Sequence, residues 1–319
     1  MDEPEVHFST DVENYVPLPE GGAANYNALL ELSRVELDDS AFRELARLTR
    51  DLGKLELAER KALVLEHRDL ILANYTAIER VLPRIHELSE AAVIGDASVR
   101  VDCEIVRFQV LRQVSLTLCL YTELSHWDSE LDDNSEDLLA LLRLNRNWAP
   151  HTRVLVHTMI SVVIIGQVVD TYQRVLPEMH SEDRQQLEEE LSDAIDYVAL
   201  VSNALWAEYC IAANGLVEIS QQGGARLPFL FHRNRTLNIY GRHVDAVAGY
   251  AAVRDWIGLD AHNERFFFHE LDSLHIQNHI GWTFLAMSVP ASSKVMQNAE
   301  AKNAKEAELL QQLRETPIQ

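Results

Sequence analysis

The stretch Val154 to Val169, VLVHTMISVVIIGQVV, is the most apolar window of the chain, and the rest of the sequence has to fold so as to accommodate it. A helix apolar on every side is either buried in a large helical protein or inserted in a bilayer. A membrane span needs roughly 20 consecutive apolar residues. This window is shorter and includes His157, Thr158, Ser161 and Gln167, so it reads as a core helix. Pro150 suits a first turn, Pro177 a stop, and Gly166 the close approach of a neighbouring backbone. His157 has no ligand partner on its own helix face, so it is expected to be a buried histidine bonded to a backbone carbonyl.

What covers this helix must itself be helical. Only 12 Gly and 9 Pro occur in 319 residues, too few for the tight turns of a β-sandwich or barrel. Apolar residues instead recur at three- and four-residue spacing along most of the length. The expected class is all-α, built as packed antiparallel helical hairpins around the buried central helix, with no sheet. Fifty acidic residues against 28 basic ones give a formal charge of −22. Such a surface repels phosphate backbones, which argues against nucleic acid and for a protein partner with a basic surface. Cys103, Cys119 and Cys210 lie among apolar helical neighbours without any CxxC spacing, and read as buried thiols. The start, Met1 followed by Asp2, Glu3 and Glu5, lacks the basic opening and apolar run of a signal peptide, and no segment has transmembrane length.

In chain order, residues 1–24 carry Pro4, Pro17, Pro19, Gly21 and Gly22 with little periodicity and read as a flexible acidic leader. An N-terminal helical subdomain covers residues 25–95, including one helix from Leu57 to Leu82 that ends at Pro83. A central helical core covers 96–222. There Ser98 is expected to cap a helix through Leu124, Ser135 with Glu136 and Asp137 to open a short leucine-rich one, and Ser181 to start another exceeding 25 residues. A C-terminal helical subdomain covers 223–298. In it a loop tucks in Phe229 and Phe231, and a helix from about Thr236 ends at Gly258. Residues 299–319 read as a solvated helix and tail. ERVLPRIH (Glu79 to His86) and QRVLPEMH (Gln173 to His180) look alike, and read as two similar helix ends closed by proline.

One cluster has the composition of a metal site. His262, Glu264, His269, Asp272, His275 and His279 fall within eighteen residues, and Asp272, His275 and His279 would share a helix face. Imidazole with carboxylate is the ligand set of zinc or non-haem iron, which makes His269, Asp272, His275 and His279 the candidate ligands. Ile276 stands where a zincin would place its catalytic glutamate after the first histidine. No nucleophile elbow, phosphate loop or dinucleotide fingerprint is present. The five tryptophans are dispersed and read as packing residues.

Four stretches together resemble a group of uncharacterised bacterial proteins: the acidic leader into NYNALLEL (Asn25 to Leu32), LLALLRLNR to RVLVHTMISVV (Leu138 to Val163), NRTLNIY (Asn234 to Tyr240) and NHIGWTFLAMSVP (Asn278 to Pro290). That resemblance implies an all-helical body, often held outside the cytoplasmic membrane by an N-terminal anchor. It implies no activity and no catalytic residue. The expected function is a helical scaffold or protein-interaction module, and the alternative is a metal-dependent enzyme built on the histidine cluster. The expected place is the outer side of the membrane if an anchor precedes residue 1, with the leader as tether, or otherwise the cytoplasm.

Overall fold

The computed structural model describes residues 5–37, 39–96, 106–131, 135–222, 233–266 and 292–315. These are predominantly helical, with no strand among them. The central window becomes α8 (Leu155–Val175), 21 residues long, and Pro177 follows its end. It is long and apolar enough to cross a bilayer, yet 72% of its apolar window is buried inside the protein. Its outward face keeps Val156, Met159 and Val163 exposed, so the apolar character runs further round the helix than the neighbours that cover it.

Among the described residues, four helices pack closely around α8. The first, α6 (Phe108–Trp127), runs parallel to it, as the Ser115 hydroxyl bond to Gln167 and the Arg174 bond to Glu123 show. α7 (Ser135–Trp148) runs antiparallel, with the Tyr172 hydroxyl donating to the Ser135 carbonyl at one end and the Trp148 ring against His157 at the other. α10 (Tyr197–Gln222) is antiparallel as well, and the last helix, α13 (Ser292–Glu315), is parallel. The hairpins α6–α7 and α7–α8 thus have the expected sense. Acidic side chains at Glu136 and Asp137 in the first turn of α7 match the positive end of the helix dipole.

The N-terminal helices α1 (Gly22–Ser33), α2 (Asp39–Leu52), α3 (Leu57–Glu66), α4 (Arg68–Ile78) and α5 (Leu82–Ser89) pack on α6 and α7. One buried joint ties α3, α6 and α8 together. Glu123, wholly withdrawn from water, accepts from Arg60 through two nitrogens at 2.7 and 2.8 Å and from Arg174 at 2.7 Å. Buried apolar side chains from Val12 to Leu313 form one continuous core.

Several boundaries differ from the sequence expectation, each for a local reason. The stretch from Leu57 to Leu82 is broken at His67, whose ring Nδ1 bonds the Leu63 carbonyl. Pro83 does not end a helix but sits in the first turn of α5, where its missing N–H costs nothing. The two look-alike octapeptides are therefore one helix start and one helix end. α6 begins at Phe108, after an extended Arg107, and Ser98, its expected cap, lies outside the described residues. The helix opened by Ser181 is α9 (Ser181–Leu191), and it stops before α10 because Asp196 Oδ1 accepts from the backbone N–H groups of Val198 and Ala199. α11 (Arg233–Ala252) ends before a left-handed Arg254, and Gly258 lies inside α12 (Trp256–Arg265), donating its N–H to the Asp255 cap.

Helix α13 is not a solvated rod. Met296, Ala299, Leu309 and Leu313 are buried, and Glu306 reaches inward to Arg146 and Tyr197. What packs on Gly166 is not a backbone but the stem of Lys302 from this helix. The leader, too, departs from expectation. Val12 and Val16 are buried, and residues 5–18 lie as a strap over α10, α11 and the segment that leads into α8. Phe229 and Phe231, and Cys103, lie outside the described residues. Cys119 and Cys210 are buried free thiols.

Candidate functional site

The candidate metal ligands His269, Asp272, His275 and His279 all lie outside the described residues. Of the wider cluster, Glu264 is exposed, whereas His262 turns into the core. There its Nε2 meets Nδ1 of His243 at 3.2 Å, the two rings stacked 5.3 Å apart with Phe266 against His243. Burial, with His262 adding to it, pushes His243 down to about 3, so it stays neutral. No group of three or more candidate ligands occurs among the described residues.

His157 is buried as expected, with a different partner. Val106 donates its N–H to Nε2 at 3.2 Å, which leaves Nδ1 to carry the proton and donate to Asp96 at 2.8 Å. Both side chains are fully shielded from water. With both ring nitrogens engaged, this pair joins the segment before α6 to the start of α8 and has no free base to offer a substrate.

The most elaborate surface arrangement is where the strap meets α10 and α11. Trp206, Tyr209 and Cys210, three and four positions apart, share one face of α10. Asn238 and Gly241, three apart, share a face of α11. Between them lies Phe8, its ring 5.5 Å from Trp206 and 6.2 Å from Tyr209. Gly241 makes the seat, because a Cβ there would collide with the Phe8 ring. Asn238 reads the strap's backbone on both sides of Val6: its Oδ1 accepts from the His7 N–H at 2.9 Å, and its Nδ2 donates to the Glu5 carbonyl at 2.8 Å. A side-chain amide satisfying one residue's carbonyl and another's N–H is how a groove holds an extended peptide independently of most of its side chains.

Further along, the strap is held differently. Tyr15 stacks on Trp206 at 4.9 Å with the rings almost parallel. Arg153, buried at the foot of α8, donates to the Val16 carbonyl at 3.0 Å and pairs with Glu13. Glu13 also accepts from the Leu18 N–H at 2.8 Å, which with Arg153 holds its carboxyl below the usual range.

The acid–base character of the groove is that of a binding surface. Burial pushes the Cys210 thiol up to about 12, so no reactive thiolate stands there. Burial likewise raises the phenols of Tyr209 and Tyr240 and keeps them protonated. The Tyr209 hydroxyl is buried without a hydrogen-bond partner. Beneath the groove, Glu208 accepts the Leu155 N–H at 2.8 Å and so caps α8 from α10. Burial raises its carboxyl to about 7, the single N–H only partly offsetting the lost hydration.

Sequence reasoning passed over Phe8 and Asn238. A signal was present: Val6, Phe8, Val12, Tyr15, Val16 and Leu18 recur every one to four residues, too regular in apolar content for a solvated spacer. No family model, curated protein or solved structure matches the chain.

Proposed function

We propose that the protein is a helical interaction module whose binding surface is the groove between α10 and α11, filled in this structure by its own residues 5–10. The observation that supports this reading is the Asn238 clamp, which engages the backbone of an extended segment while Phe8 fills an aromatic seat lined by Trp206, Tyr209 and Gly241. A partner would present an extended segment with an aromatic residue in the place of Phe8, flanked by basic residues that suit the acidic chain. If the resemblance to envelope-held bacterial proteins applies, the segment that fills the groove is also the one leading to the anchor, and tethering and binding would share it.

A fluorescein-labelled peptide of residues 5–10 tests the proposal by anisotropy. Wild-type protein competes through its own strap, so the Phe8→Ala variant, which empties the seat, is expected to bind the peptide at least about tenfold more tightly. Adding Gly241→Leu or Asn238→Ala should abolish that gain while helical circular dichroism is retained. Equal binding by all variants, or none by the Phe8→Ala protein, would overturn the reading.

A further inference from the structure

A second concave site lies where the turn after α1 faces the first turns of α6. It is a half-open cleft of about 540 Å³, within the range of roughly 300–1,000 Å³ in which small molecules are bound. Val35, Leu37, Phe108 and Val110 give it an apolar wall, and Phe108 is left 40% exposed there. Arg34 and Arg107 line it as well, against a single carboxylate, Glu36.

Arg107 carries its charge into the cleft without an acid beside it. With acids in large excess, many arginines are drawn into ion pairs: Arg60, Arg68, Arg143, Arg174 and Arg254 each face a carboxylate within 3.1 Å. Among the described residues Arg107 has no acidic partner, although it lines the cleft and is open to water. A guanidinium presents a planar fork of donors matched to a carboxylate and does not lose its charge. Apolar side chains and an uncommitted arginine thus share one lining, which is amphipathic.

We propose that this cleft binds a small organic carboxylate with an apolar chain, the carboxylate on Arg107 and the chain against Phe108 and Val110. The apolar wall selects against inorganic anions, which would gain nothing from it, and the guanidinium selects against uncharged apolar molecules. Buried apolar area and one charge-assisted bond are independent contributions, so each can be removed separately. This proposal does not depend on the α10–α11 groove.

Isothermal titration of the full chain with octanoate, octanol and inorganic phosphate tests it. Octanoate is expected to bind at one site, octanol about tenfold or more weakly, and phosphate not measurably. Arg107→Gln should weaken octanoate by about tenfold or more while leaving octanol unchanged, because it removes the charged donor and keeps a polar, though shorter, side chain. Phe108→Ala should weaken both. Octanoate binding that is absent, or that survives Arg107→Gln unchanged, overturns the proposal, as does phosphate binding as tight as that of octanoate.

Discussion

The two halves of the N-terminal strap are fastened in different ways. Residues 12–18 are anchored by charge: Arg153, almost wholly buried, depends on Glu13 and the Val16 carbonyl for partners, and Val12 and Val16 fill the core. Residues 5–10 are clamped by a neutral amide and an aromatic seat, with His7, Ser9 and Thr10 open to water. Releasing the first half strands a buried guanidinium, which is among the more costly things a protein can do. Releasing the second half leaves behind only groups that water can satisfy or that face a shallow surface. A single segment can thus be permanent at one end and exchangeable at the other, with the boundary near Asp11, whose carboxylate caps the turn Val12–Asn14.

The sharpest test of that contrast is Glu13→Ala. It leaves Arg153 buried with only the Val16 carbonyl, and is expected to lower global stability by about 3 kcal/mol in urea unfolding. A loss below about 1 kcal/mol would place the two halves in the same class.

A slightly smaller effect is expected from Glu208, which caps α8 two residues beyond Arg153 and so underlies the anchored half. Its carboxyl is raised from 4.5 to about 7. Between those values the folded chain keeps a proton that the unfolded chain has lost. The stabilisation is therefore complete below pH 4.5 and is lost as pH rises through 7. Glu208→Gln should flatten this part of the pH–stability profile, by about 2–3 kcal/mol between its ends. An unchanged slope would show that Glu208 is ionised throughout.

The smallest change belongs to the clamp. Asn238→Ala should cost only about 1 kcal/mol globally, yet make the chain before Asp11 accessible to limited proteolysis. Protection equal to wild type would mean that the aromatic seat alone holds residues 5–10.

How much of this was legible in the sequence varies with the range of the interactions involved. α8, the acid-rich start of α7 and the stop before Pro177 are set by local composition and were readable from it. The break at His67 depends on a ring nitrogen finding a carbonyl four residues back, and the start of α10 on which of several acids in SDAID turns to its backbone, choices that periodicity does not encode. The amphipathic face of α13 was hidden because Lys302 and Glu306, polar by type, serve as packing and pairing groups. The groove was least legible of all, since Phe8 and Gly241 lie far apart in the chain and acquire meaning only once the strap has closed on α11.

The docking of α13 also bears on the order in which the molecule can be completed. Glu306 supplies the carboxylate that faces Arg146 of α7 and the hydroxyl of Tyr197 at the start of α10, and Lys302 lies in the notch that Gly166 leaves in α8. A ribosome delivers these two residues after almost everything they touch. Until then Arg146 has only Glu190 and the Asp193 carbonyl beside it, and one flank of the central helix stands bare. A chain cut short before residue 302 is therefore expected to leave the notch at Gly166 open and Arg146 and Tyr197 without the Glu306 carboxylate.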